Sequence, residues 1–187
     1  VVLGLLSAVA LATAIGIFSG LFDLNRWLAL SGPAFWGGQV WRIVTYVLLP
    51  VSLLTFLMNG VMITLWGGSL ERNWARRELW LYCLVVTLGT GAAQILLQAF
   101  MPSPFAGSAP MAYGLLVAWG FLFRYERISF IGIGEMTIGL LALLAGALNF
   151  ILIWFSAGLS NAVIALAGGL TGLAYLWAQM KIIMGRE

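Results

Sequence analysis

The amino-acid sequence predicts an all-α membrane protein, a single bundle of six transmembrane helices with a membrane-embedded first loop. Three observations predict it. The chain of 187 residues is 63% hydrophobic and only 8% charged, where a soluble domain carries about 25% charged residues. Six apolar stretches reach or approach spanning length. The basic residues fall almost entirely on one side of those stretches. A surface with so few charges is not wetted all round, so its solvent is lipid, and in lipid the backbone must satisfy its own polar groups as helices.

A helix needs roughly 20 apolar residues to cross the hydrocarbon core. The candidate spans are Val1–Phe22, Val47–Trp66, Leu79–Phe100, Ala109–Phe123, Met136–Phe155 and Ser160–Ile183. The first has no basic residues before it and no convincing A-x-A-like cleavage site, so it reads as a span rather than a cleaved signal. The fourth is short. Between the first and second spans, Asp23 to Tyr46 contains Asp23, Asn25, Arg26, Pro33 and Gln39 and is not a span. Its Trp27, Phe35, Trp36 and Trp41 suit the headgroup interface, so this loop is read as a structured element lying in one leaflet. No internal repeat, linker or low-complexity segment divides the chain, and residues 1–187 read as one domain.

Charge sets the orientation. Arg72, Arg76 and Arg77 follow the second span, Arg124 and Arg127 the fourth, and Lys181 and Arg186 the sixth. Only Arg26 and Arg42 lie on the other side, seven basic residues against two. The positive-inside rule then puts both termini in the cytoplasm. We read the membrane as a bacterial inner membrane. No basic stripe with interleaved aromatics points to nucleic acid, so the expected partners are the lipid bilayer and other membrane proteins.

The same inventory excludes most chemistry. There is no histidine, which removes Ser–His and Cys–His catalysis and most transition-metal sites, and no cofactor or metal is expected. The six acidic residues, Asp23, Glu71, Glu78, Glu126, Glu135 and Glu187, all fall in loops or at span ends, so none marks an intramembrane ion path. Cys83 is the sole cysteine and sits in an apolar run, as a core residue would. Asn59, Gln94, Gln98, Asn149 and Thr171 lie inside spans, where such residues more often bond a neighbouring helix than a substrate. Small residues at four-residue spacing, Gly16–Gly20 and Gly168–Gly172, allow close helix approach.

Taken in order along the chain, four motifs resemble the rhomboid intramembrane serine protease family. Trp41-Arg42 is similar to its first-loop Trp-Arg motif. Asn59 and the turn carrying Glu71-Arg72 are similar to its second helix and the acidic-basic pair after it. Gly107 to Gly114, "GSAPMAYG", resembles its Gly-x-Ser-Gly-x-x-aromatic-small pattern, and "NAVIALAGGLTGLAY" resembles its sixth helix, His-x-x-Gly-x-x-x-Gly. The resemblance covers about residues 40–180. It implies a six-helix rhomboid-like bundle whose short fourth helix begins at mid-membrane depth.

The departures from that pattern fall on the chemistry. Counting back from Tyr113, the nucleophile position is Ala109, and Ser108 is one residue off register, about 100° round a helix. The glycine after the nucleophile is Pro110. Counting back from Gly168, the base position is Ala165, and the histidine expected one turn before Asn59 is Thr55. Trp41, Arg42, Asn59, Glu71, Gly107, Tyr113, Gly168 and Gly172 keep the family's residues. The resemblance therefore implies a pseudoprotease that binds transmembrane helices, as a subunit of a membrane complex or as a chaperone or quality-control factor. Two alternatives stay open: an intramembrane serine protease of altered chemistry using Ser108, and a small-molecule transporter or channel.

Overall fold

A computed structural model of the chain describes residues 4, 24–49, 53–98, 105–130 and 134–184. The predicted first span and its Gly16–Gly20 pair lie outside the described residues, Gly4 apart. Three short helices build the first loop: α1 (Leu24–Leu28), α2 (Gly32–Trp36) and α3 (Arg42–Thr45), the last running into a 3-10 turn at Tyr46–Leu48. Then come α4 (Leu53–Met62), a π-helical turn (Ile63–Gly67), α5 (Gly68–Asn73), α6 (Arg76–Leu97) and α7 (Ala109–Leu122). Strands β1 (Arg127–Phe130) and β2 (Gly134–Thr137) precede α8 (Ile138–Ala157) and α9 (Leu159–Met184).

The molecule is a predominantly helical membrane protein. Among the described residues, three helices are long and apolar enough to cross a membrane, within α6, α8 and α9. In α6 the buried residues are Leu79, Tyr82, Cys83, Val86, Thr87, Thr90, Gly91 and Gln94. They recur every three or four positions, one continuous stripe of a 3.6-residue helix. Thr87 and Thr90 tuck their hydroxyls onto the carbonyls of Cys83 and Val86, at 2.8 and 2.7 Å, so neither needs an outside partner.

The short helix α7 is apolar on every side and buried at almost every position from Pro110 to Gly120. A helix of that composition belongs in the middle. It packs most extensively on α9, and also on α8 and α6. In lipid no hydrophobic effect pulls helices together, so shape and hydrogen bonds hold the bundle. The glycines serve that packing. A Cβ on Gly114 would meet Val86 Cγ1 at 2.8 Å, and one on Gly168 would collide with the backbone of Pro110.

A short hairpin joins the predicted fourth and fifth spans within this predominantly helical fold. Arg127–Phe130 and Gly134–Thr137 form an antiparallel hairpin, with Arg127 opposite Thr137 and Phe130 opposite Gly134. Met136, taken as the start of the fifth span, is in β2, and the helix begins at Ile138, where Thr137 Oγ1 accepts from Leu140 N–H at 3.4 Å. Apolar and polar residues alternate in "RISF", a period of two that the surrounding hydrophobicity masks. The Arg127–Glu135 pair across the hairpin, 3.3 Å apart, is exposed and contributes little.

Candidate functional site

Several of the residues singled out by the sequence meet around the N-terminus of α7, which the first loop and α9 hold in place. Four consecutive carbonyls at the end of α1 accept side-chain bonds from α3 and its flank. Arg42 donates to the carbonyls of Arg26 and Ala29, the latter at 2.6 Å. Trp41 Nε1 donates to Trp27 at 3.3 Å, and Thr45 Oγ1 to Leu28 at 3.1 Å. The carbonyls that a helix C-terminus leaves open are thus closed by three neighbouring side chains, the guanidinium supplying its charge to the negative end. Arg42 Nε also donates to Gln39 Oε1 at 2.7 Å, and the side chain is buried.

That loop is then fastened to the bundle. Gly91 on α6 leaves room for α3: a Cβ there would lie 2.6 Å from Ile43 Cγ1. Tyr46 donates its hydroxyl to the Thr87 carbonyl at 3.0 Å. Gln98, at the end of α6, accepts from Gly32 N–H and donates to the Leu30 carbonyl. Leu30 and Phe105 exchange two backbone bonds of 2.8 Å, and Gly107 N–H donates to the Tyr46 carbonyl at 3.0 Å. Gly107 has φ of 135°, a conformation reserved for glycine, and it turns the chain into α7. Trp41 and Arg42 are therefore connected to the N-terminus of α7 only through the loop whose Tyr46 carbonyl holds Gly107.

At the site itself, Ser108 precedes the first turn of α7. It does not cap the helix with its side chain. Its Oγ instead accepts a hydrogen bond of 3.1 Å from Asn59 Nδ2 on α4, and both residues are buried. Ala109 opens the helix, and Pro110 follows where a missing N–H costs nothing. Across from them on α9, Gly168 meets the Pro110 carbonyl, and Ala165, one turn earlier, is fully buried. Further along, the Tyr82 hydroxyl donates to the Gly114 carbonyl and occupies the space beside Gly172. Tyr113 donates to the Gly146 carbonyl of α8 at 2.7 Å.

The structure therefore brings Asn59, Gly107, Ser108, Ala109, Tyr113, Ala165, Gly168 and Gly172 to one region. It keeps Trp41 and Arg42 in the loop beside it and Glu71 on α5. Thr55 lies on α4 one turn before Asn59, and its side chain is outside the described residues. Of the other polar residues within spans, Asn149 Nδ2 donates to Met62 Sδ at 2.7 Å, joining α8 to α4, and Thr171 bonds the Gly168 carbonyl of its own helix. Chemically the central pair is an amide donating to a hydroxyl. An amide nitrogen takes no proton at neutral pH, so Asn59 orients Ser108 without activating it. Tyr82 carries weight that sequence reasoning missed, because a tyrosine in an apolar run has no signal beyond its place on the α6 stripe.

Residues 1–177 match the family described as eukaryotic integral membrane protein (DUF1751). The chain belongs to that family. No curated protein matches it. The family's eukaryotic description overturns the bacterial inner membrane as the location. Apolar span length and a one-sided excess of arginine follow from bilayer thickness and insertion, which bacterial and eukaryotic membranes share, so neither distinguishes the two. Integral membrane placement stands, now in a eukaryotic family.

Proposed function

We propose that this protein is a rhomboid-like pseudoprotease that holds transmembrane helices of other membrane proteins without cutting them, as a complex subunit or a chaperone-like factor. Six spans with both termini cytoplasmic form part of this reading, supported by the seven-to-two basic asymmetry. One observation carries the proposal. The framework around the α7 N-terminus is intact, with Gly168 against Pro110, Tyr82 against Gly114 and Asn59 on Ser108, while alanines occupy the nucleophile and base positions. Removing a nucleophile and its base together leaves at most the residual catalysis of the remaining site. A bundle whose packing survives the loss of its chemistry still presents its helix faces to the membrane.

In the family it resembles, a client helix approaches between the second and fifth spans, here α4 and α8. Large apolar side chains point outward from both, among them Leu57 and Val61 on α4 and Leu144 and Leu148 on α8. The test is purification of the full chain in mild detergent with identification of co-purifying membrane proteins. Leu57→Trp with Val61→Trp, or Leu144→Trp with Leu148→Trp, should release a partner while thermal stability stays unchanged. Failure to recover any partner, or a partner indifferent to both pairs, would remove the helix-binding reading. Specific cleavage of a transmembrane substrate, lost in Ser108→Ala, would establish the altered-protease alternative instead.

A further inference from the structure

A lateral groove lies between α7, α8 and α9, bordering the candidate site at Tyr113 and lined by neither Asn59 nor Ser108. Its volume is about 840 Å³, and its lining is apolar but for the Tyr113 hydroxyl, bonded to the Gly146 carbonyl, and one charged side chain, Arg124, at one end. On α8 the lining runs from Gly139 to Ile151, about 18 Å of helix at a 1.5 Å rise per residue. One leaflet of hydrocarbon is about 15 Å, half of the roughly 30 Å core. The groove is thus as long as one acyl layer and too short to match a helix that crosses both. Its mouth faces the membrane, since Leu143 and Leu170 on its two rims are exposed.

The cation sits where a headgroup would be. Arg124 follows the last turn of α7 and precedes the hairpin with its exposed Arg127–Glu135 pair. Among the described residues Arg124 makes no ion pair. Its exposed guanidinium lies over the rings of Tyr125 and Phe121, at 4.6 and 5.3 Å, contacts that leave its charge unneutralised. Basic groups at the cytoplasmic end of a cleft between transmembrane helices bind anionic headgroups, and a guanidinium pairs with phosphate through two parallel bonds. Two of the groove's glycines, Gly120 and Gly169, do not offer a seat to a foreign helix. A Cβ on Gly120 would strike Ala142, and one on Gly169 would press on Val117, so both are spent on packing inside the chain.

We propose that this groove is a binding site for one anionic phospholipid, its acyl chain along α8 and its phosphate on Arg124. The site is independent of any helix-binding role. The experiment uses the purified full chain in phosphatidylcholine vesicles doped with a trace of phospholipid carrying a photoreactive acyl chain, either phosphatidylinositol or phosphatidylcholine. Labelled positions are read by peptide mass spectrometry. Phosphatidylinositol should label Leu143, Ala147 and Leu170 about tenfold more than phosphatidylcholine does, because the choline cation of the latter offsets its phosphate and repels Arg124, a difference of about 1.4 kcal/mol. Leu84 and Leu88, exposed on α6, should be labelled equally by both lipids and report that each variant is folded. Arg124→Gln should bring the groove ratio to about that of α6, and Ala147→Trp should suppress groove labelling by either lipid. Equal labelling of the groove by both lipids, or an anionic preference that survives Arg124→Gln, would overturn the proposal. So would a covalent product of twice the chain's mass joined at these positions, which would make a second copy the occupant.

Discussion

The Tyr82 hydroxyl and Gly172 compete for one space, and that competition can be measured. The hydroxyl donates to the Gly114 carbonyl, and a Cβ at position 172 would overlap it, with Tyr82 Cζ at 3.0 Å and Gly114 Cα at 3.4 Å. Gly172→Ala therefore forces the ring aside. Overpacking of this kind costs about 1–3 kcal/mol, and the better helix propensity of alanine returns about 1 kcal/mol. Tyr82→Phe removes one buried hydrogen bond, worth about 0.6–1.7 kcal/mol between membrane helices. Together the two changes should cost less than their sum by about 0.5–1.5 kcal/mol, because phenylalanine vacates the space that the new methyl needs. Gly168→Ala is the contrasting case. Its Cβ would meet the Pro110 carbonyl carbon and Cα, each at 2.7 Å, and backbone cannot rotate away as a side-chain tip can. Its loss should reach about 3 kcal/mol or more, and Tyr82→Phe should not relieve it. Reversible unfolding in mixed detergent micelles gives the four free energies. Strict additivity of Tyr82→Phe with Gly172→Ala, or a Gly168→Ala protein as stable as wild type, would refute this account of the α7–α9 contact.

Arg42→Ala should lower stability by about 2–3 kcal/mol, since several charge-assisted bonds to carbonyls are lost together. Arg42→Lys should recover less than half, because one ammonium cannot reproduce the planar fork, and thermal unfolding of both variants in detergent checks it. A serine-directed fluorophosphonate probe should leave Ser108 unlabelled, and labelling that disappears in Ser108→Ala would contradict the pseudoprotease proposal. In a Cys83→Ser background, a cysteine at Ser103 should react with an impermeant thiol reagent from the non-cytoplasmic side and one at Asn73 should not, with the reverse pattern overturning the proposed orientation.

Membrane residence is readable in the sequence because it depends on summed composition, which no tertiary contact alters. The short, wholly apolar α7 is legible for the same reason, whereas the buried stripe of α6 is not, because its exposed face carries Trp80, Leu81, Leu84 and Leu88 and is apolar too. Trp41, Arg42, Gly168 and Gly172 could be singled out from the sequence, but what each of them touches could not. Those partners are set by how helices distant in sequence meet, as with the carbonyls of Arg26 and Ala29 under Arg42. Only the tertiary structure decided that Ser108 faces Asn59, that Tyr82 fills the space at Gly172, and that a groove ends at Arg124. The hairpin at Arg127–Thr137 escaped the sequence reading because its strands of four residues sit between apolar helices, where a period of two is too short to register against the surrounding hydrophobicity.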